Sequence, residues 1–236
     1  MKIAILGYGK MGHEIESVAL AHGHEITIKA CSHKPFTSSD LKGSDVAIEF
    51  STPGTAVDNI FKCFEAGCPV VVGTTGWYTR LPEVRNEAAS GGHTLMYSTN
   101  FSIGVNILFH LNRELARIMN RFENYEPQIH EIHHIHKLDK PSGTAITLAE
   151  GLVDELQRKH NWANDAEVAS DVLSVTSERT DEVPGTHVIS YTSDHDVISL
   201  RHEAFNRKGF ATGAVKAAEW LAGKTGVFSM RDFLSF

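Results

Sequence analysis

The stretch Lys2-Ile3-Ala4-Ile5-Leu6-Gly7-Tyr8-Gly9-Lys10-Met11-Gly12 decides the fold. Its first residues, apolar and mostly branched, read as a strand buried on both faces. Glycines follow at 7, 9 and 12, and a segment from about His13 to His22 has the periodicity of an amphipathic helix. Gly23 closes that helix, and Glu25 to Ala30 read as a second strand. Strand, glycine turn, helix and strand in about 30 residues make a βαβ unit. In such a unit the first glycine permits the tight turn, and the second removes a side chain where a pyrophosphate approaches. The third lets helix and strand pack closely. The helix start adds unpaired amides and the positive end of its dipole. Gly7, Tyr8, Gly9, Lys10, Met11 and Gly12 are therefore candidate residues for binding a dinucleotide, against the alternative of a purely structural turn.

Working outward, Asp45 to Phe50 read as a strand, Pro53-Gly54 as a loop, and the following residues to about Ala66 as a helix. Pro69 to Val72 is a short β-branched strand entering Gly73-Thr74-Thr75-Gly76. This alternation predicts an α/β fold with a doubly wound parallel sheet of the Rossmann type. After about Ser102 the pattern changes. Helices are expected at Val105 to Met119 and from Pro141-Ser142-Gly143 to about Lys159. Strands are expected at Gln128 to His134, Val172 to Thr176, His187 to Thr192 and Val197 to Glu203. Hairpin spacing among the later strands predicts a second, smaller α+β domain with a mixed or antiparallel sheet. Gly213 to Ala222 closes the chain with a further helix.

Composition narrows the functional classes. The 236 residues carry a net charge of -7, which disfavours nucleic acid as the main partner. Cys31, Cys63 and Cys68 form no CxxC pair, so a disulfide scaffold is not expected and a reducing compartment is. The opening apolar run is too short for a signal-peptide core, and no stretch reaches the roughly 18 residues of a membrane span. These features predict a soluble cytoplasmic protein without a membrane partner.

A dinucleotide site usually places an acid at the end of the second strand to hold the ribose hydroxyls. Here the positions read Lys29-Ala30-Cys31-Ser32-His33-Lys34. Without an acid, and with Lys34 and His33 nearby, a 2′-phosphate is tolerated or favoured, Lys34 being the candidate contact. NADPH should serve at least as well as NADH. An ordinary solvated loop remains the alternative for Lys34.

The segment Glu131-Ile132-His133-His134-Ile135-His136-Lys137-Leu138-Asp139-Lys140-Pro141-Ser142-Gly143-Thr144-Ala145 is the most informative. Histidine exchanges protons near neutral pH and lysine supplies a fixed positive charge, a combination suited to a step in which a substrate gains negative charge. Ser142 can cap the helix that follows, whose first amides at Gly143 and Thr144 form a natural carboxylate site. Zinc ligation is a rival reading of clustered histidines. On an extended strand, however, His134 and His136 share one face while His133 takes the other, which disperses a metal shell. No metal is expected. A purely structural cluster is the remaining alternative.

With these residues in view, the sequence resembles the 4-hydroxy-tetrahydrodipicolinate reductase (dihydrodipicolinate reductase) family over essentially its whole length. The resemblance rests on Gly7 to Gly12, Glu49-Phe50-Ser51-Thr52-Pro53, Gly73 to Gly76 and Ser98-Thr99-Asn100-Phe101-Ser102. It continues with Glu131 to Ala145 and Asn206-Arg207-Lys208-Gly209-Phe210-Ala211-Thr212-Gly213-Ala214. It implies NAD(P)H-dependent reduction of a cyclic dicarboxylate, 4-hydroxy-tetrahydrodipicolinate, with loss of water, in lysine and diaminopimelate biosynthesis. It further implies a dinucleotide-binding domain of 1–101 and 207–236, a substrate and tetramerisation domain of 102–206, and a homotetramer. A hinge near Ser102 and Asn206 would let the domains close. By the same resemblance Gly73, Thr74 and Thr75 lie along the cofactor, with Ser98, Thr99, Asn100 and Phe101 near its nicotinamide. His133 is the implied proton donor and Lys137 the second catalytic residue, while His134, Gly143 and Thr144 bind substrate. The missing acid near Cys31 departs from the pattern and leaves the choice between NADPH and NADH open. A non-catalytic NAD(P)H sensor or another dehydrogenase on the same fold are the alternatives.

Overall fold

Residues Lys2–Leu6 form strand β1, and the backbone then turns sharply at Gly7 (φ +103°) into helix α1, Lys10–Ala21. The computed structural model describes every residue, Met1–Phe236. Helix α1 starts inside the glycine motif, earlier than the apolar periodicity predicts, because Gly9 itself is the N-cap. Strands β2 (Glu25–Ala30) and β3 (Val46–Glu49) follow, then α2 (Pro53–Glu65) and β4 (Val70–Val72). Pro53-Gly54, expected to be loop, is the first turn of α2. Proline fits there because the first helical amide has no acceptor and its φ is already helical. Helix α3 (Leu81–Ser90) and strand β5 (Thr94–Tyr97) lie where no element was read. The helix buries only Val84 and Ala88, too few for a periodic signal.

Helix α4 (Ile103–Met119) leads into a second set of elements. These are β6 (Glu126–His133), α5 (Gly143–Glu155), β7 (Asn161–Ala163), β8 (Val172–Arg179), β9 (Gly185–Thr192) and β10 (Val197–Ala204). The chain ends with α6 (Lys208–Leu221), β11 (Gly226–Phe228) and α7 (Met230–Leu234). Two compact units result, Met1–Ile103 with Arg207–Phe236, and Gly104–Asn206.

The first unit is a six-stranded sheet in the order β11-β5-β4-β3-β1-β2, parallel throughout. Alternation sorts its fully buried residues to two faces. Ile3, Ile5, Val46, Ile48, Val71 and Met96 pack with α1 and α6, whereas Ala4, Leu6, Ala47, Val70, Val72 and Leu95 pack with residues of α2 and α3. The chain winds outward in both directions from β1 and β3, so the crevice beyond their carboxyl ends is the natural ligand site.

The second unit is a mixed sheet, β10-β9-β6-β8-β7, in which β9 runs against β6 and β10 while β8 runs with β6 and β7. Residues of α4 and α5 pack on one face over Ile129, Leu173, Val175, Ile189 and Tyr191. Helix α5 stops at Glu155 rather than near Lys159, because the chain turns inward there. The Lys159 side chain is enclosed, donating to Glu126 Oε1 at 2.5 Å and to the carbonyls of Ser170 and Val172.

Helix α6 was expected only from Gly213. It begins at Lys208, and Gly213 sits mid-helix, where an added Cβ would lie 1.7 Å from the Phe101 carbonyl oxygen. Gly213→Ala should destabilise the protein by about 1–3 kcal/mol in chemical denaturation, the usual cost of overpacking. Gly54→Ala in α2, with no atom within 4 Å of the new methyl, should cost nothing. Equal stability of the two variants would contradict this packing.

Candidate active site

The first unit supplies a cavity of about 600 Å³ at the carboxyl ends of β1, β2 and β3. Gly7, Tyr8 and Gly9 form one wall, and the Gly7 and Tyr8 amides donate to the Ala30 carbonyl, latching the loop to the end of β2. Each glycine meets the demand of a dinucleotide cradle. A Cβ on Gly7 would strike the Phe50 carbonyl at 2.1 Å, and one on Gly12 the Gly7 carbonyl at 2.4 Å, whereas the space beside Gly9 is open. Helix α1 has no acid in its first turn to compete with a phosphate. The residues fit the group.

Residues 30–36 close the cavity on one side, through Ala30, Cys31, Ser32, His33, Pro35 and Phe36. Phe50, Ser51, Thr52, Thr55, Asn59 and Lys62 close it on the other. Lys34, Lys10 and Met11 do not line it. Beneath it lies Glu49, fully buried, whose Oε1 accepts from the Ser51 amide and hydroxyl and from Asn59 Nδ2. Burial raises the Glu49 carboxyl above the ordinary range, against hydrogen bonds from Ser51, Thr74 and Asn59 that pull it down. Gly73 is glycine because Phe50 lies against it, a Cβ there falling 2.0 Å from the ring. Thr74 is buried with its carbonyl held by Trp77, and Thr75 is exposed. Both follow β4. After β5, Ser98 Oγ donates to the Asn100 carbonyl, Thr99 is exposed and the Phe101 ring lies tilted against Phe50 at 6.0 Å between centroids.

The second unit gathers a charged cluster at one end of its sheet. Along β6 the inward side chains run from Pro127 and Ile129 in the apolar layer to Glu131 and His133. Register then sets the neighbours. Glu131 lies beside His187 of β9 and Ser177 of β8, and His133 beside Arg179. Glu131 is fully buried, and its Oε1 accepts from the Arg179 guanidinium and from the Ser142 amide, both at 3.0 Å. Its Oε2 lies 3.3 Å from His133 Nδ1 and 3.6 Å from His187 Nε2. Burial alone would raise this carboxyl, but His133, His187 and Ser142 outweigh it and hold the group far below its ordinary range. Burial lowers the pKa of His187 despite that carboxylate. Gly185 makes room for His133, since a Cβ there would come within 3.0 Å of its Nε2.

The strand does not continue through the histidines. It ends at His133, and a turn follows in which the Lys137 amide donates to the His134 carbonyl. The extended backbone expected through His136 is therefore absent, although the His134 and His136 rings still lie 6.1 Å apart. His136 instead pairs with Glu182, in the open. Lys137 Nζ donates to both carboxylate oxygens of Asp139 at 2.8 Å, and Arg179 reaches back to the Lys137 and Asp139 carbonyls. Ser142 caps α5 by accepting from the Ala145 amide, and Gly143 in the first turn has open space beside it.

Residues 1–101 match the model of the dihydrodipicolinate reductase N-terminus and residues 104–234 that of its C-terminus. The chain belongs to the dihydrodipicolinate reductase family. It is 44% identical to 4-hydroxy-tetrahydrodipicolinate reductase of Christiangramia forsetii over all of this chain and 98% of that one. Identity with the Rickettsia bellii protein of the same name is 38%, over 95% and 90% of the two chains. A dipicolinate-bound dihydrodipicolinate reductase from Paenisporosarcina has the same fold, with a TM-score of 0.78 at 21% identity over 97% of both chains. As a family member the protein is an NAD(P)H-dependent oxidoreductase.

Sequence reasoning singled out His133, Lys137 and the Ser142 cap but gave Glu131 no role, and it passed over Arg179 and His187. For Glu131 a signal existed: two residues before His133 on a strand, it must share that histidine's face. Arg179 and His187 arrive only through strand pairing.

Because the folded state holds the Glu131 carboxyl below its unfolded value of 4.5, its ionised form stabilises the fold above that pH. The contribution drains as pH falls, since the unfolded chain then binds a proton that the folded chain refuses. Wild type should melt well above Glu131→Gln at about pH 7, and the gap should narrow towards about pH 3.5. A gap that stays constant across that range would show Glu131 to be uncoupled from protonation.

Proposed function

We propose that this protein reduces 4-hydroxy-tetrahydrodipicolinate to tetrahydrodipicolinate with loss of water, with His133 and Lys137 as catalytic residues. One observation carries the residue assignment. The buried Glu131 carboxylate contacts His133, the Ser142 cap of α5 and, through Arg179, the backbone that bears Lys137. The glycine loop and the segments that follow β4 and β5, Gly73 to Thr75 and Ser98 to Phe101, would hold NAD(P)H, which would supply the hydride.

Glu131, 3.3 Å from His133 Nδ1, holds the ring by that nitrogen. Proton exchange with substrate is thereby left to Nε2, where Gly185 leaves room. Lys137 places a positive charge against the negative charge that builds on the ring, an electrostatic role commonly contributing a few kcal/mol. A substrate carboxylate binds at the start of α5, by Gly143 and Thr144 with His134. The helix dipole and the absence of an acid in that first turn favour it.

His133→Gln and Lys137→Met should each lower turnover by about a hundredfold or more, the usual worth of a positioned acid or charge. NADPH affinity, read from nicotinamide fluorescence, should stay within about twofold. The assay uses freshly generated substrate and follows NADPH and NADH oxidation separately. Near-normal rates in both variants would remove the assignment.

The proposal extends to a cytoplasmic homotetramer. Strand β10 is a sheet edge, and Val197, Ile198 and Phe205 on and beside it expose apolar surface. All three cysteines are unpaired, and no helix is long and apolar enough to cross a membrane. Light scattering should give a mass of four chains, and a monomer in dilute solution would overturn the assembly.

A further inference from the structure

Helix α2 turns a polar stripe towards the nucleotide cavity. Thr55, Asn59 and Lys62, spaced i, i+4 and i+7, lie on one face of a helix whose other residues Ala56, Val57, Ile60, Cys63 and Phe64 are buried in the core. Lys62 stands in the last turn of α2, where the helix dipole favours a cation. Its Nζ lies 4.8 Å above the Phe36 ring, which forms the opposite side of the same cavity. The ammonium forms no ion pair with any carboxylate.

The cavity's charge is one-sided. Its lining includes the cation Lys62 and the imidazole of His33, and no acidic side chain. Glu49, below the floor, is sealed off by Ser51 and Asn59. The end of β2, where a ribose-binding acid would stand, presents Ala30 and Cys31 instead. A cation without a carboxylate partner, held against an aromatic ring of this cavity, is available to an anion bound there.

We infer that Lys62 binds the 2′-phosphate of an adenine dinucleotide and so sets the preference for NADPH over NADH. This rests on the dinucleotide reading of the cavity but adds a residue on α2, away from the loop that sequence reasoning searched. The sequence pointed to Lys34 and His33; Lys34 is exposed and does not line the cavity, whereas His33 does.

Calorimetry with two fragments tests this without turnover: adenosine 2′,5′-bisphosphate, which carries the phosphate in question, and 5′-AMP, which lacks it. Wild type should bind the bisphosphate more tightly. Lys62→Met should lower bisphosphate affinity by about tenfold, as expected for one lost charged contact, and leave 5′-AMP within about twofold. Retained 5′-AMP binding also reports that the variant is folded. Lys62→Arg should recover most of the loss. Unchanged bisphosphate affinity in Lys62→Met, or an equal loss for both fragments, would overturn the inference. Wild type binding neither fragment would instead remove the dinucleotide reading of the cavity, and this inference with it.

Discussion

The Glu131 carboxylate is the point on which the second unit's chemistry hangs. A fully buried anion survives only if its surroundings replace the water it has lost. Here the replacement is a guanidinium, two imidazoles and a backbone amide, and each belongs to a different part of the fold. Arg179 comes from β8, His187 from β9, His133 from β6 itself, and Ser142 from the start of α5. The requirement to satisfy one carboxylate therefore fixes where two strands, a helix cap and the Lys137 loop meet. Breaking one partner leaves a buried charge exposed to the penalty, which couples the arrangement of the site to the stability of the sheet end.

In the first unit the corresponding constraint is steric. Gly7, Gly12 and Gly73 each sit where a Cβ would meet another atom at 2.4 Å or less, two against backbone carbonyls and one against the Phe50 ring. Phe50 is common to two of these contacts, its carbonyl behind Gly7 and its ring against Gly73. One aromatic residue at the end of β3 thus holds the loops that follow β1 and β4 at the height of a shared floor. The open side of Gly9 faces the other way. Close packing behind the loop and emptiness in front of it come from the same glycine spacing.

How much of this was legible depended on whether the information was local. The βαβ start, the change of pattern after Ser102 and the Ser142 cap were readable because periodicity, glycine turns and capping act within a few residues. Helix α3 and strand β5 were not, since short elements with few buried side chains leave little periodic trace. The histidine segment was given the wrong backbone beyond His133, where strand alternation was carried into a turn. Arg179 and Lys62 could not be found by spacing at all. The first reaches its partner across paired strands, and the second reaches Phe36 across a cavity, so both become visible only when distant segments are brought together.

The two sites share an electrostatic logic that this chain, with its net charge of -7, makes necessary. On the proposed function both receive anions, a phosphorylated nucleotide in one and a dicarboxylate in the other, and a bare acid near either would repel its ligand. Four acids near them are each neutralised in their own way. Glu49 is buried, and its carboxyl is pushed towards the neutral form. Glu16, beside Tyr8, is paired with Lys29. Glu131 is matched by Arg179, and Asp139 by Lys137. The last pair differs from the others because Asp139 is largely exposed and Lys137 is not. An exposed carboxylate holds its partner weakly. On the proposed function Lys137 would exchange Asp139 for an arriving anion at small cost, while the deeper pairs stay closed.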